Sequence, residues 1–184
     1  MTSQELVADR EAPDASFDPP PWWRMPFNAV TWRRTLYTLL ALPVGVVAVP
    51  LALLGRYRAA ARLQRDLARR YLPLEVDAQS HRDTVGRVLA HAVLGLPLNA
   101  LSLALTAYLW LLVAINLAYP LRPGTMDSYQ HAWGGPTLAG AWAVHAAGGL
   151  AFLFAIPWVV KGTAALQGRL ARRLLGAGRY PERL

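Results

Sequence analysis

Residues Leu98–Ala118, LNALSLALTAYLWLLVAINLA, hold no Asp, Glu, Lys, Arg or His over 21 positions. At about 1.5 Å per residue, a helix of that length crosses about 30 Å of hydrocarbon. Lipid offers no hydrogen-bond partner to backbone N–H and C=O groups, so an open segment within it must be helical. Reading this stretch as a membrane span decides the fold, and the rest of the chain sorts by the side on which it lies.

Composition agrees. Of 184 residues, 54% are hydrophobic and 16% charged, a balance that disfavours a soluble domain. The net charge of +8 is carried almost wholly by arginine, since Lys161 is the sole lysine. These arginines lie beside apolar segments, which favours anionic lipid headgroups as partners and argues against nucleic acid. The lack of cysteine removes disulfides, thiol nucleophiles and thiolate metal sites.

An unbroken helix from Thr84 to Tyr119 would be about 54 Å long, so a bend at Pro97 is predicted, with Arg87 and His91 on an interfacial piece before it. Pro120 closes the span. The loop Leu121–Pro136 has the single arginine Arg122 and is placed outside. Its Asp127, Tyr129, His131 and Trp133 are candidates for contact with an extracytoplasmic ligand, or for interfacial anchoring. Thr137–Val160 is the returning span, with Trp158 and Lys161 at its cytoplasmic end.

Two intramembrane features stand out. Ala139, Ala143, Ala147, Ala151 and Ala155 recur every fourth residue, and small residues let helices approach closely. The predicted partner is the Leu98–Ala118 span, with a second copy as the alternative. Asn99, Ser102, Thr106 and Asn116 fall in a sector of about 100° on that span. Together with His145 they form a candidate polar cluster, either lining a small pocket or bonding between helices.

The first half is less regular. Met1–Pro21 is acidic, ends in three prolines and is expected to be a disordered tail. Trp22, Trp23 and Trp32, mixed with Arg24, Arg33 and Arg34, suit a headgroup layer. Leu36–Leu54 contains Pro43, Gly45 and Pro50 and has arginines on both flanks, so it is read as a proline-broken re-entrant or short spanning segment. Arg56–Leu72 predicts a basic amphipathic helix, with Ala60, Leu63, Leu67 and Tyr71 on one stripe and Arg58, Arg62, Arg65 and Arg69 on another. It lies on the inner leaflet or packs on its own protein. The polar run Glu75–Asp83 is a linker.

The chain repeats itself. Leu63–Leu72 and Leu166–Leu175 share L-Q-x-x-L-A-R-R-x-L, and Arg33, Leu40, Leu42 and Pro43 align with Arg87, Leu94, Leu96 and Pro97 at one offset. The reading is a single membrane domain, 22–176, built of halves at about 30–72 and 84–175, with a short tail at 177–184. The second copy ends in another basic helix. Arg58, Arg62, Arg65, Arg69, Arg70, Arg169, Arg172 and Arg173 are the candidate headgroup contacts.

These features resemble a known family. Thr31-Trp32-Arg33-Arg34-Thr35-Leu36-Tyr37 leading to Leu42-Pro43-Val44-Gly45, the second Gly95-Leu96-Pro97-Leu98, and Pro157-Trp158 through Ala171-Arg172-Arg173-Leu174-Leu175-Gly176 are similar to the multi-pass membrane sensor domain found mainly in actinobacteria. That domain often precedes two-component histidine kinases and sometimes stands alone. The resemblance implies a standalone member, shortened by about one span in its first half.

No glycine-rich phosphate loop, H-E-x-x-H or nucleophile elbow occurs, and no catalytic residue, cofactor or metal is expected. The expected fold is an all-α integral membrane protein: a hairpin of two full spans, the re-entrant or short segment and two basic amphipathic interfacial helices. Both termini are expected in the cytoplasm. The expected role is a non-enzymatic sensor-like or accessory module with a protein partner or a homo-oligomeric state. A structural subunit of a larger complex, and an oligomeric transporter or membrane enzyme component, are the alternatives.

Overall fold

The computed structural model of the protein describes residues 21–72 and 84–175. The expected acidic tail, the Glu75–Asp83 linker and the C-terminal tail lie outside these residues. Four long helices dominate: α1 (Ala29–Leu53), α2 (Tyr57–Tyr71), α3 (Val85–Leu117) and α4 (Leu138–Leu175). A 3-10 helix, Trp22–Phe27, precedes α1, and short helical turns join α3 to α4. Among the described residues there is no strand. By length and composition α1, α3 and α4 could each cross a membrane.

Two expectations about breaks are corrected, at α1 and at the end of α4, and the helix around Pro97 is unbroken. α1 is a single helix of 25 residues through Pro43 and Pro50, not two pieces meeting at a proline. α3 continues through Pro97 for 33 residues. α4 runs for 38 residues from the hairpin into the second basic segment, so that segment is the end of a long helix and not a separate one. A proline removes one donor and crowds the preceding turn. The remaining backbone groups still need partners, and in apolar surroundings the helix is how they find them.

The helix ends follow local chemistry. Asn28 caps α1 by accepting from the Val30 backbone N–H at 2.8 Å. At its other end Gly55 adopts φ +78°. The Arg56 N–H donates to Leu51 O at 2.9 Å and the Gly55 N–H to Ala52 O at 3.2 Å. This paired closure needs a left-handed residue after the C-cap, which glycine adopts without a Cβ clash. It turns the chain back so that α2 lies along α1.

Side-chain contacts fix the helix directions. Trp32 stacks on Trp110 with ring centroids 4.6 Å apart, Thr38 Oγ1 donates to Thr106 Oγ1 at 3.2 Å, and Asn99 Nδ2 donates to Ala41 O at 3.1 Å. α1 and α3 are therefore antiparallel. α3 and α4 are antiparallel too, with Gln167 against Asn99 towards one end and Trp142 against Leu117 at the other. Val113, Ile156 and Val160 form the core between them. A second core gathers Ala48 and Ala52 of α1, Ala60 and Ala61 of α2, Val88 and Ala92 of α3, and Leu175 of α4.

The alanine stripe does not meet the Leu98–Ala118 span: Ala139, Ala143, Ala147, Ala151 and Ala155 all lie on the exposed face of α4. A strict four-residue period advances about 40° per step on a 3.6-residue helix, so it cannot follow one packed face for long. Close approach is provided instead by Gly149, where a Cβ would stand 3.1 Å from Asn116 Cβ and 3.3 Å from Leu117 Cγ.

Candidate functional site

The candidate polar cluster divides along the hairpin. Ser102 donates to Leu98 O in its own helix, and Asn116 likewise to Leu112 O. Thr106 meets Thr38 of α1. His145 stacks on Tyr119 at 4.0 Å and its Nδ1 lies 2.8 Å from Ala141 O. His145 is thus near the α3–α4 loop, beside the level of Asn116 and about 25 Å along α3 from Asn99. It and Asn99 do not share a site.

Asn99 instead belongs to a cleft among all four long helices. Tyr37, Ala41, Val44 and Gly45 of α1, Gln64 and Leu67 of α2, His91 and Asn99 of α3, and Gln167, Leu170 and Ala171 of α4 line it. Gln167 Nε2 donates to Asn99 Oδ1 at 2.8 Å, and Asn99 Nδ2 passes the chain on to Ala41 O. His91 Nδ1 lies 2.8 Å from Gln64 Oε1. An amide oxygen only accepts, so this pair requires the proton on Nδ1 and leaves Nε2 of the neutral ring as an acceptor. Gly45 keeps α1 close, because a Cβ there would stand 3.3 Å from Asn99 Nδ2.

The two sequence offsets, 33 to 87 and 63 to 166, pair Tyr37 with His91, Gly45 with Asn99, Gln64 with Gln167 and Leu67 with Leu170. All eight line this one cleft. The available signal is the glutamine held in common by the two L-Q-x-x-L-A-R-R-x-L segments.

Below the cleft, arginines grip the end of α4. Arg65, 2% exposed, donates from Nη2 to Leu175 O at 2.9 Å. Arg87 donates from Nε to Leu174 O at 3.0 Å and from Nη2 to Arg173 O at 2.9 Å. The last carbonyls of a helix lack intrahelical donors and carry its negative pole, so cations there are doubly favoured. Arg65 is therefore not a headgroup contact, and the buried face of α2 is Ala60, Ala61, Gln64, Arg65 and Ala68. Leu63, expected on the apolar stripe, is exposed. Arg58, Arg62, Arg69, Arg70, Arg169 and Arg173 are exposed, whereas Arg172 is half-buried. Arg69 makes a loose 3.9 Å pair with Asp66. Among the described residues no three His, Asp or Glu side chains come together as metal ligands.

The sequence that folds into this all-helical array matches the family described as Putative sensor over residues 44–175. The chain belongs to that family. No curated protein and no solved structure matches it.

Proposed function

We propose that the chain is a non-enzymatic, sensor-like membrane module in which lipid, ligand or partner state acts on the arginine-rich end of the bundle. The observation that carries this reading, beside family membership, is the grip of Arg65 and Arg87 on the last carbonyls of α4. Two other helices thereby hold the end of the longest one, so a displacement of α2 or α3 is felt at Leu175. The exposed arginines of α2 and α4 give anionic headgroups a place to act.

Aromatic placement supports a crossing α3–α4 hairpin with loop 121–136 outside. Trp133 and Trp142 are exposed near the loop, and Trp22, Trp23, Trp32 and Trp158 are exposed around the middle of the molecule, close in sequence to Arg24, Arg33, Arg34 and Lys161. From Trp142 to Trp158 is about 24 Å along α4, and tryptophans favour both membrane interfaces. On this reading α1 starts beside Trp110 and runs alongside the inner part of the Leu98–Ala118 span towards the arginine pole.

A specific observation also favours the structural-subunit reading. Val46, Val47, Leu53 and Leu54 of α1 are half or more exposed, and such an apolar face is covered by a partner protein on this reading, or by lipid.

The test is hydrogen exchange of the full chain in nanodiscs of phosphatidylglycerol or phosphatidylcholine. Slower exchange across 57–71 and 164–175 in the anionic discs is expected. Identical exchange in both would reject lipid state as the input.

A further inference from the structure

We propose that the cleft among α1, α2, α3 and α4 binds one neutral hydroxyl group, from water or a small alcohol, with Gln167 Oε1 as its acceptor. This inference stands on the cleft alone and is independent of the sensing role.

Gln167 is 3% exposed. Its amide nitrogen is committed to Asn99, while its carboxamide oxygen has no hydrogen-bond partner among the described residues. Leaving such an acceptor unsatisfied costs more than a typical hydrogen bond contributes. The cleft beside it has a cavity volume of about 20 Å³, and a single water-sized group needs at least about 10–15 Å³ on the same measure.

Chemistry selects the occupant. An acceptor calls for a donor, which excludes carboxylates and fully ionised phosphates. The cleft's lining holds no carboxylate to pair with an ammonium group, and Arg65, buried in the neighbouring helix α2, opposes a second positive charge. An apolar group would leave Gln167 unsatisfied. A hydroxyl meets each condition, and it can both donate to Gln167 and accept from a neighbouring amide.

The test uses the full chain, labelled at glutamine side chains, in phosphatidylcholine nanodiscs. Water-selective cross-relaxation to the Gln167 side-chain amide is measured, then repeated with added glycerol. A cross-peak from water identifies water as the occupant, and its replacement by one from glycerol identifies an alcohol site. Absence of both shows a dry cleft and overturns the proposal. The Gln64 side-chain amide lines the same cleft and is the second reporter: a water or glycerol cross-peak there should be lost in Gln167→Met, of similar volume without the acceptor, and its persistence would overturn Gln167 as the acceptor. If Gln167→Met does not fold, a structure resolving solvent decides: ordered density within hydrogen-bond distance of Gln167 Oε1 supports the site, and an empty cleft rejects it.

Discussion

The Arg65 guanidinium donates to the carbonyl oxygen of Leu175 at 2.9 Å, joining positions 110 apart in sequence. Arg65 is almost fully buried, so this bond forms away from competing water. Arg65→Met should destabilise the fold by about 1.5–3 kcal/mol, the range for hydrogen bonds to charged groups, and raise hydrogen exchange at 170–175. Arg62→Met, one turn earlier and exposed, should stay within about 0.5 kcal/mol. Equal effects from the two would show that the buried bond contributes nothing.

Gly55 closes α1 at φ +78°. A Cβ meets nothing within 4 Å there, so the cost of substitution is conformational and not steric crowding by neighbours. Gly55→Ala should lose about 1 kcal/mol in reversible unfolding, and Gly55→Asn less, because asparagine tolerates the left-handed region better.

The contrast between Gly149 and Ala147 separates packing from mere smallness. Gly149→Leu must push into Asn116 and Leu117 and should cost about 1–3 kcal/mol through overpacking. Ala147→Leu lies on the exposed face and should leave monomer stability unchanged. Loss of an oligomer in Ala147→Leu alone, seen by size-exclusion in mild detergent, would assign the outward stripe to contact with a second copy.

These contrasts show what was legible beforehand and what was not. The helix 57–71 follows from separated charge, a local signal. The buried face of α2 was misjudged because Leu63 outweighs Ala60 and Ala61 on any hydrophobic scale, whereas close packing among four helices selects small side chains. Arg65 reads as a surface arginine until the end of α4 is brought to it. The alanine stripe is a face, but it turns outward. The cleft is assembled by residues such as Asn99 and Gln167, 68 positions apart, whose meeting depends on how α3 and α4 align. The prolines misled for a related reason: their cost is local, and continuity is enforced by everything around them.

The outward arginines give an electrostatic expectation. Replacing Arg58, Arg62, Arg69 and Arg70 by glutamine removes exposed charge without touching Arg65. Each arginine near an anionic surface contributes about 1 kcal/mol. Exchange protection of α2 in phosphatidylglycerol discs should therefore fall to the phosphatidylcholine level, and the difference should shrink with salt in the unsubstituted chain as well. Protection that is unchanged by both would reject headgroup contact at α2.

Single cysteines test the arrangement of the helices, since the natural chain has none. Ser128, Arg62 and Ala29 are all exposed and lie respectively in the α3–α4 loop, on the outer face of α2 and at the start of α1. A membrane-impermeant maleimide on whole cells should label Ser128→Cys, and should reach Arg62→Cys and Ala29→Cys only after permeabilisation. α1 is antiparallel to α3 and starts beside Trp110, so the Ala29 result discriminates sharply. Labelling of Ala29→Cys from outside would make α1 a third crossing with its two ends on opposite sides. Protection would keep the start of α1 from the outer side, as a re-entrant segment requires.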